Sequence, residues 1–123
     1  MIDNKTKYSL VLASASPRRL ELLKQVGIVP ALVEPANIDE TPRNKEIPKN
    51  LALRLAKQKL DTVANKYPKH WTLAADTLVT CGRRVLSKPL DEADARKKLE
   101  FLSGRRHRVI TSVCVLGPLG KFN

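Results

Sequence analysis

At 123 residues the chain is long enough to bury one core and short enough to form a single domain. Its 42% apolar fraction is ordinary for a globular protein, and no apolar run approaches the roughly 20 residues of a membrane span. A net charge of +11 points to anionic partners: nucleic acid, an anionic membrane or a phosphorylated small molecule. One Trp, two Tyr and two Phe are too few for an aromatic platform that stacks single strands.

Ser9–Ala13 reads as a short buried strand. Ser16 suits the N-cap and Pro17 the first position of a helix, with Leu20, Leu23 and Val26 at helical spacing and Gly27 as the stop. Residues 28–33 read as a second strand broken by Pro30, and residues 34–50, with three prolines and many charges, as a long loop. A second helix is expected over 51–66, with Leu53, Ala56, Leu60 and Val63 as its buried stripe, ended by Tyr67-Pro68. Residues 71–81 form a strand, and "CGRRV" turns through Gly82 into another. Asp91 caps a third helix, with Asp94 three residues on, Leu99 and Leu102 facing the core and Gly104 closing it. From His107 to Leu116, Val109, Thr111, Val113 and Val115 fall on one face of a strand, and residues 117–120 form a turn. This order predicts an α/β fold with a mixed central sheet flanked by helices. Residues 1–123 are expected to form one domain.

Cys81 and Cys114 lack zinc-ligand spacing and read as reduced thiols. The apolar stretch Leu10–Ala13 is shorter than a signal-peptide core, so a cytoplasmic protein is expected.

The residues that break local rules are the informative ones. In Ser14-Ala-Ser-Pro-Arg18-Arg19, two arginines sit at the positive end of a helix, where cations are unfavourable. A strand feeding a helix N-terminus presents free N–H groups, so two hydroxyls and two guanidiniums there suit a phosphate. Simple capping by Ser16 with both arginines in solvent is the equally weighted alternative. Asp76 follows an apolar run in "LAADTLV"; a carboxylate there is costly unless paired, and suits a metal ligand or general base as well as a turn cap. Thr77 adds a hydroxyl beside it. Lys59 falls within the apolar stripe of the second helix, either snorkelling outward or reaching into a site. Lys88 before Pro89, Glu40 in "NIDE" and His107 among Arg105, Arg106 and Arg108 each read singly as solvated. Together the set supplies cations for a polyphosphate, acids for a divalent metal and a base for water.

The stretches "LASASPRRLELL", "IDE", "LAKQK", "AADTLV" and "SKPLDEADARKKLEFLSGRRHRVITSV", in this order, resemble the Maf family of nucleoside triphosphate pyrophosphatases. The resemblance runs from Leu10 to about Val115. It implies the α/β architecture shared with inosine-triphosphate pyrophosphatases, and hydrolysis between the α and β phosphorus atoms to a monophosphate and pyrophosphate. It implies Asp76 as the proton acceptor, with Ser14, Arg18, Arg19, Lys59, Thr77 and Lys88 binding substrate. Glu40 would serve substrate or metal, and Asp76 and Glu40 would hold Mg²⁺ or Mn²⁺. Arg18 after Pro17 and Thr77 after Asp76 resemble the branch acting on dTTP, UTP and modified pyrimidine nucleotides, rather than the branch with Trp and Gln there, which acts on 7-methyl-GTP. A link to septum formation and a homodimer are further implications. Family members carry a further segment with an Asp-Lys-Ala-Gly-Ala-Tyr-Gly-like motif, so the fold is expected to be incomplete at its C-terminus, with an exposed sheet edge. Two other functions compete: a nucleotide-binding remnant without turnover, and a basic nucleic-acid binder, the latter disfavoured because no nucleic-acid motif is present.

Overall fold

A computed structural model describes residues 9–82, 84–86 and 90–118. In chain order the elements are β1 (Leu10–Ala13), α1 (Pro17–Gln25), β2 (Leu32–Val33), α2 (Pro48–Ala64), β3 (Trp71–Cys81), β4 (Arg84–Leu86), α3 (Glu92–Leu102) and β5 (Arg108–Leu116). They build the mixed α/β sheet that the alternation of strand and helix patterns predicts.

The eleven-residue β3 organises the sheet. Along one edge it pairs antiparallel with β5, from Thr72↔Leu116 to Thr80↔Arg108. Its other edge is shared. Residues 71–74 pair parallel with β1 and residues 79–81 pair antiparallel with β4. Between Ala74 and Val79 this edge has neither strand beside it, because β1 ends at Ala13 and the chain turns away into α1. Ligands of open α/β sheets bind at such places, beyond the carboxyl end of a strand where its neighbours diverge.

α2 covers one face of the sheet. Leu51, Ala52, Leu55, Ala56, Leu60, Val63 and Ala64 form its buried stripe, over Thr72, Ala74, Asp76, Leu78 and Thr80 of β3. The apolar contacts divide into two clusters: Val11, Ala13, Leu60, Val63 and Ala74 on one side, and Leu51, Ala52, Leu55 and Leu78 on the other. Lys59 and Asp76 belong to neither and lie at the seam between them.

Several boundaries and faces differ from expectation. α2 begins at Pro48 rather than at residue 51, since proline lacks only an N–H that no first-turn residue needs. Leu53 is exposed, and the buried stripe is carried instead by Leu51, Ala52 and Leu55. Only Leu32–Val33 of the expected strand over 28–33 pairs with β1, because Pro30 cannot donate to a ladder. Leu99 is exposed, and α3 has no buried residue; its Phe101 ring is held between the Arg84 and Arg105 guanidiniums, 4.2 and 4.3 Å from its centroid. Val109, Thr111, Val113 and Val115 do share one face of β5, but that face is open: Val109 is 63% and Val113 61% exposed. The end of the turn expected over 117–120 lies outside the described residues.

Gly27 ends α1 as expected. Its φ of +82° is left-handed, and the Ile28 and Gly27 amides close back onto the Leu23 and Lys24 carbonyls, a Schellman arrangement.

Candidate active site

The site is built where β1 hands the chain to α1. The Ser16 side chain caps the helix by accepting from the Arg19 amide at 3.4 Å. The buried Ser14 hydroxyl turns back and accepts from the Ser16 amide at 3.0 Å and from Arg19 Nη1 at 3.3 Å. The other guanidinium nitrogen, Nη2, donates to Thr77 Oγ1 at 3.1 Å, and Thr77 in turn meets Thr111 Oγ1 at 3.1 Å. Arg19 is thus fixed across the turn by two hydroxyls, Ser14 just beyond β1 and Thr77 in β3. No acidic residue stands in the first turn of α1, so its positive end has no carboxylate of its own. This answers the misfit of two arginines at a helix start. Arg19 is aimed over the turn, while Arg18 is exposed and lines a neighbouring cavity.

Two clefts adjoin Arg19. One, of about 380 Å³, is lined by Ser14, Ser16, Arg19, Asn37, Glu40 and Lys59. The other, of about 590 Å³ and mostly apolar, lies on the opposite face of the sheet and includes Arg18, Leu22, Leu73, Thr77 and Val113.

In the first cleft the chemistry converges on Lys59. Its Nζ donates to Asp76 Oδ1 at 2.7 Å and lies 4.0 Å from Glu40 Oε1. The Lys59 and Asp76 residues are 6% and 2% exposed. The lysine does not snorkel; it crosses the seam between the two apolar clusters and meets the carboxylate there. Asp76 Oδ2 is buried without a hydrogen-bond partner among the described residues. A buried carboxylate oxygen left unpaired is costly, so this atom marks where a donor, a water or a metal belongs.

The loop over 34–47 sets Glu40. Glu34 accepts from Lys66 Nζ at 3.1 Å and from the Tyr67 hydroxyl at 3.0 Å, which holds its carboxyl below the usual range and raises the Tyr67 hydroxyl. At the far end the Arg54 guanidinium grips both Glu46 oxygens, at 2.7 and 2.9 Å, and donates to the Thr41 carbonyl at 3.1 Å. Arg54, helped by the Arg43 amide, holds the Glu46 carboxyl at about 2. The loop is therefore clamped at both ends to α2 and to the residues just beyond it, with Glu40 between the clamps.

The donor set can be tested against a divalent cation. Among the described residues no three His, Cys, Asp or Glu side chains cluster, so there is no dedicated protein cage. Mg²⁺, however, is commonly held by one or two carboxylates completed by water and substrate phosphates. Asp76 with its unpaired Oδ2, and half-exposed Glu40, both beside Lys59, fit that second pattern.

Of the residues singled out in the sequence, Ser14, Arg19, Glu40 and Lys59 share one cleft, and Asp76 joins it through Lys59. Thr77, its neighbour in sequence, points to the other face and connects through Arg19. Arg18 borders the apolar cleft. Lys88 lies outside the described residues. Sequence reasoning missed Asn37, which only the loop's return to the cleft reveals, and Thr111, whose place opposite Thr77 is set by the β3–β5 register.

A mixed α/β sheet opens beyond β1 into a cationic helix start, with a lysine–carboxylate pair at its floor, an arrangement whose charge suits an anion. The chain belongs to the Maf-like protein family, whose model matches residues 9–121. It is 57% identical over 113 residues to the dTTP/UTP pyrophosphatase of Paramagnetospirillum magneticum, covering 92% of this chain and 60% of that protein. The corresponding proteins of Caulobacter vibrioides and Wolbachia pipientis wMel, with the same name, are 54% identical over 113 residues and 50% over 110, covering 92% and 89% of this chain and 58% and 56% of theirs. The chain thus spans a little over half the length of these relatives. No helix among the described residues is long and apolar enough to cross a membrane.

Proposed function

We propose that this chain carries the phosphate-gripping and base-bearing part of a nucleoside triphosphate pyrophosphatase that takes dTTP, UTP and modified pyrimidine nucleotides. The observation that carries the reading is Asp76 held by Lys59 beside the cationic β1–α1 turn. The pyrimidine preference rests on the names of the relatives and on Arg18 and Thr77.

The triphosphate lies in the cleft of Ser14, Ser16 and Arg19, where the first-turn N–H groups of α1 and the guanidinium neutralise it. Lys59 transfers part of its hydrogen bonding from Asp76 to an incoming phosphate oxygen. Asp76, released, takes the proton of the water that attacks the α phosphorus, and the α–β bridging oxygen leaves with pyrophosphate. Arg18 and Lys88 add charge toward the phosphates, and Thr77 holds Arg19 in place. Asp76 and Glu40 are the residues that would hold Mg²⁺ or Mn²⁺, which when bound supplies charge neutralisation to the phosphates. The apolar cleft across Arg19 is the place for the nucleoside.

In this reading residues 1–123 form one domain of a cytoplasmic enzyme that removes non-standard pyrimidine nucleotides and is linked to septum formation. Its uncovered β5 face suits pairing with a second copy. That same open face among the described residues favours a second reading: nucleotide binding without turnover.

Incubation with dTTP, UTP and GTP in the presence of Mg²⁺ or Mn²⁺, followed by assay of monophosphate and pyrophosphate, separates the two. Release of pyrophosphate from dTTP or UTP, lost by at least about 10²-fold in Asp76→Asn while nucleotide still binds, is the expected result. Equal turnover in Asp76→Asn removes Asp76 from its role. Binding without turnover in the parent chain selects the second reading.

A further inference from the structure

A second basin, of about 900 Å³, lies where the start of α2 meets the end of β3 and the start of β5. It includes Thr80, four residues along β3 from Asp76, or about 13 Å at the rise of an extended strand. Nothing in the proposed reaction uses it.

Three independent features converge there. α2 begins behind Ile47, which has no side-chain oxygen and makes no capping hydrogen bond, so the amides of the first turn lack the usual acceptor. Lys49, Arg106 and Arg108 line the basin, no carboxylate does, and none of the three forms an ion pair among the described residues. Arg105 joins them, its guanidinium steadied on the Phe101 ring and carbonyl. The third feature is Thr80, which lines the basin yet is only 2% exposed, and whose hydroxyl makes no hydrogen bond to a described residue. Exposed arginines alone indicate only a solvated face. A recessed hydroxyl without a partner, set among unpaired cations at a positive helix end, lacks an acceptor with negative charge.

We propose that this basin is a second anion site, which binds inorganic phosphate or pyrophosphate against the N-terminus of α2. The recessed position of Thr80 favours a small anion that enters the basin over a nucleic-acid backbone that tracks across a surface. The inference does not depend on the catalytic reading, because it rests on different residues.

Calorimetric titration of the full chain with pyrophosphate, and separately with inorganic phosphate, at constant ionic strength tests it. Two classes of site are expected for at least one of these anions, and the tighter of the two at the second class identifies the source. Arg106→Gln/Arg108→Gln should weaken the second class by about tenfold or more and leave the first unchanged, while Arg19→Gln should do the reverse. Thr80→Val keeps the charge and nearly the volume, so weakening in that variant separates a built site from general attraction. The proposal is overturned if Arg19→Gln removes all binding, if Thr80→Val binds as the parent does, or if a short single-stranded oligonucleotide displaces pyrophosphate from the basin at a lower concentration than pyrophosphate itself needs.

Discussion

Lys59→Met should destabilise the fold by about 3–5 kcal/mol, the cost of leaving a buried charge without its partner. The size follows from the geometry. At 2.7 Å and an effective dielectric constant near 20, the attraction between Lys59 and Asp76 is about 6 kcal/mol before desolvation is counted. Desolvation of two groups this deeply buried cancels most of that, so the intact pair is nearly neutral in net terms. Removing only the lysine keeps the desolvation of Asp76, whose Oδ2 has no partner among the described residues, and deprives Oδ1 of its Lys59 hydrogen bond. In urea, with a slope of about 1.5 kcal/mol/M, the midpoint should fall by about 2–3 M. The double variant Lys59→Met/Asp76→Leu should recover most of the loss, because both charges are gone and the seam becomes apolar. Equilibrium unfolding of the parent and both variants decides the matter. A Lys59→Met chain within about 1 kcal/mol of the parent, or a double variant no more stable than the single, would refute the view that the pair is dry and mutually dependent.

Arg19→Lys should impair catalysis about tenfold or more through KM, since an ammonium cannot reach the Ser14 and Thr77 hydroxyls together; initial rates with dTTP measure it. The clamp at Glu46 predicts an acid limb of stability. Its carboxyl is held at about 2 in the fold against 4.5 ordinarily, so its contribution is complete above about pH 4.5 and is lost as pH falls toward 2. Glu46→Gln should flatten that limb in unfolding curves taken at successive pH values; an unchanged limb sinks the assignment. Val109→Thr/Val113→Thr should reduce self-association in sedimentation experiments while leaving the unfolding free energy within about 0.5 kcal/mol of the parent, because both side chains are exposed.

The legible parts of the sequence were those governed by local chemistry. Ser16, Pro17 and Gly27 announce the two ends of α1 by capping geometry alone, and Asp91 caps α3 through the Asp94 amide as its spacing indicates. Lys59 and Asp76 were visible as misfits within apolar patterns. Their meeting was not, because it depends on how α2 lies across β3. Leu53 and Leu99 show the same boundary: each fits a helical stripe, but which stripe is buried is decided by the sheet it meets. The start of α2 at Pro48 was hidden by a charged, proline-containing context that also describes a loop.

The alternation along β3 has a consequence for how this gene can change. Asp76 and Thr77 stand on opposite faces, one toward Lys59 and the other toward Arg19. Inserting or deleting one codon in the bend over 65–70 could shift β3 by a single residue against β5 and β1. That slip would turn Ala75 or Thr77 toward the lysine, carry Asp76 to the far face, and send the whole apolar set of the strand with it. Substitutions can therefore explore this stretch one position at a time, whereas single-codon length changes cannot.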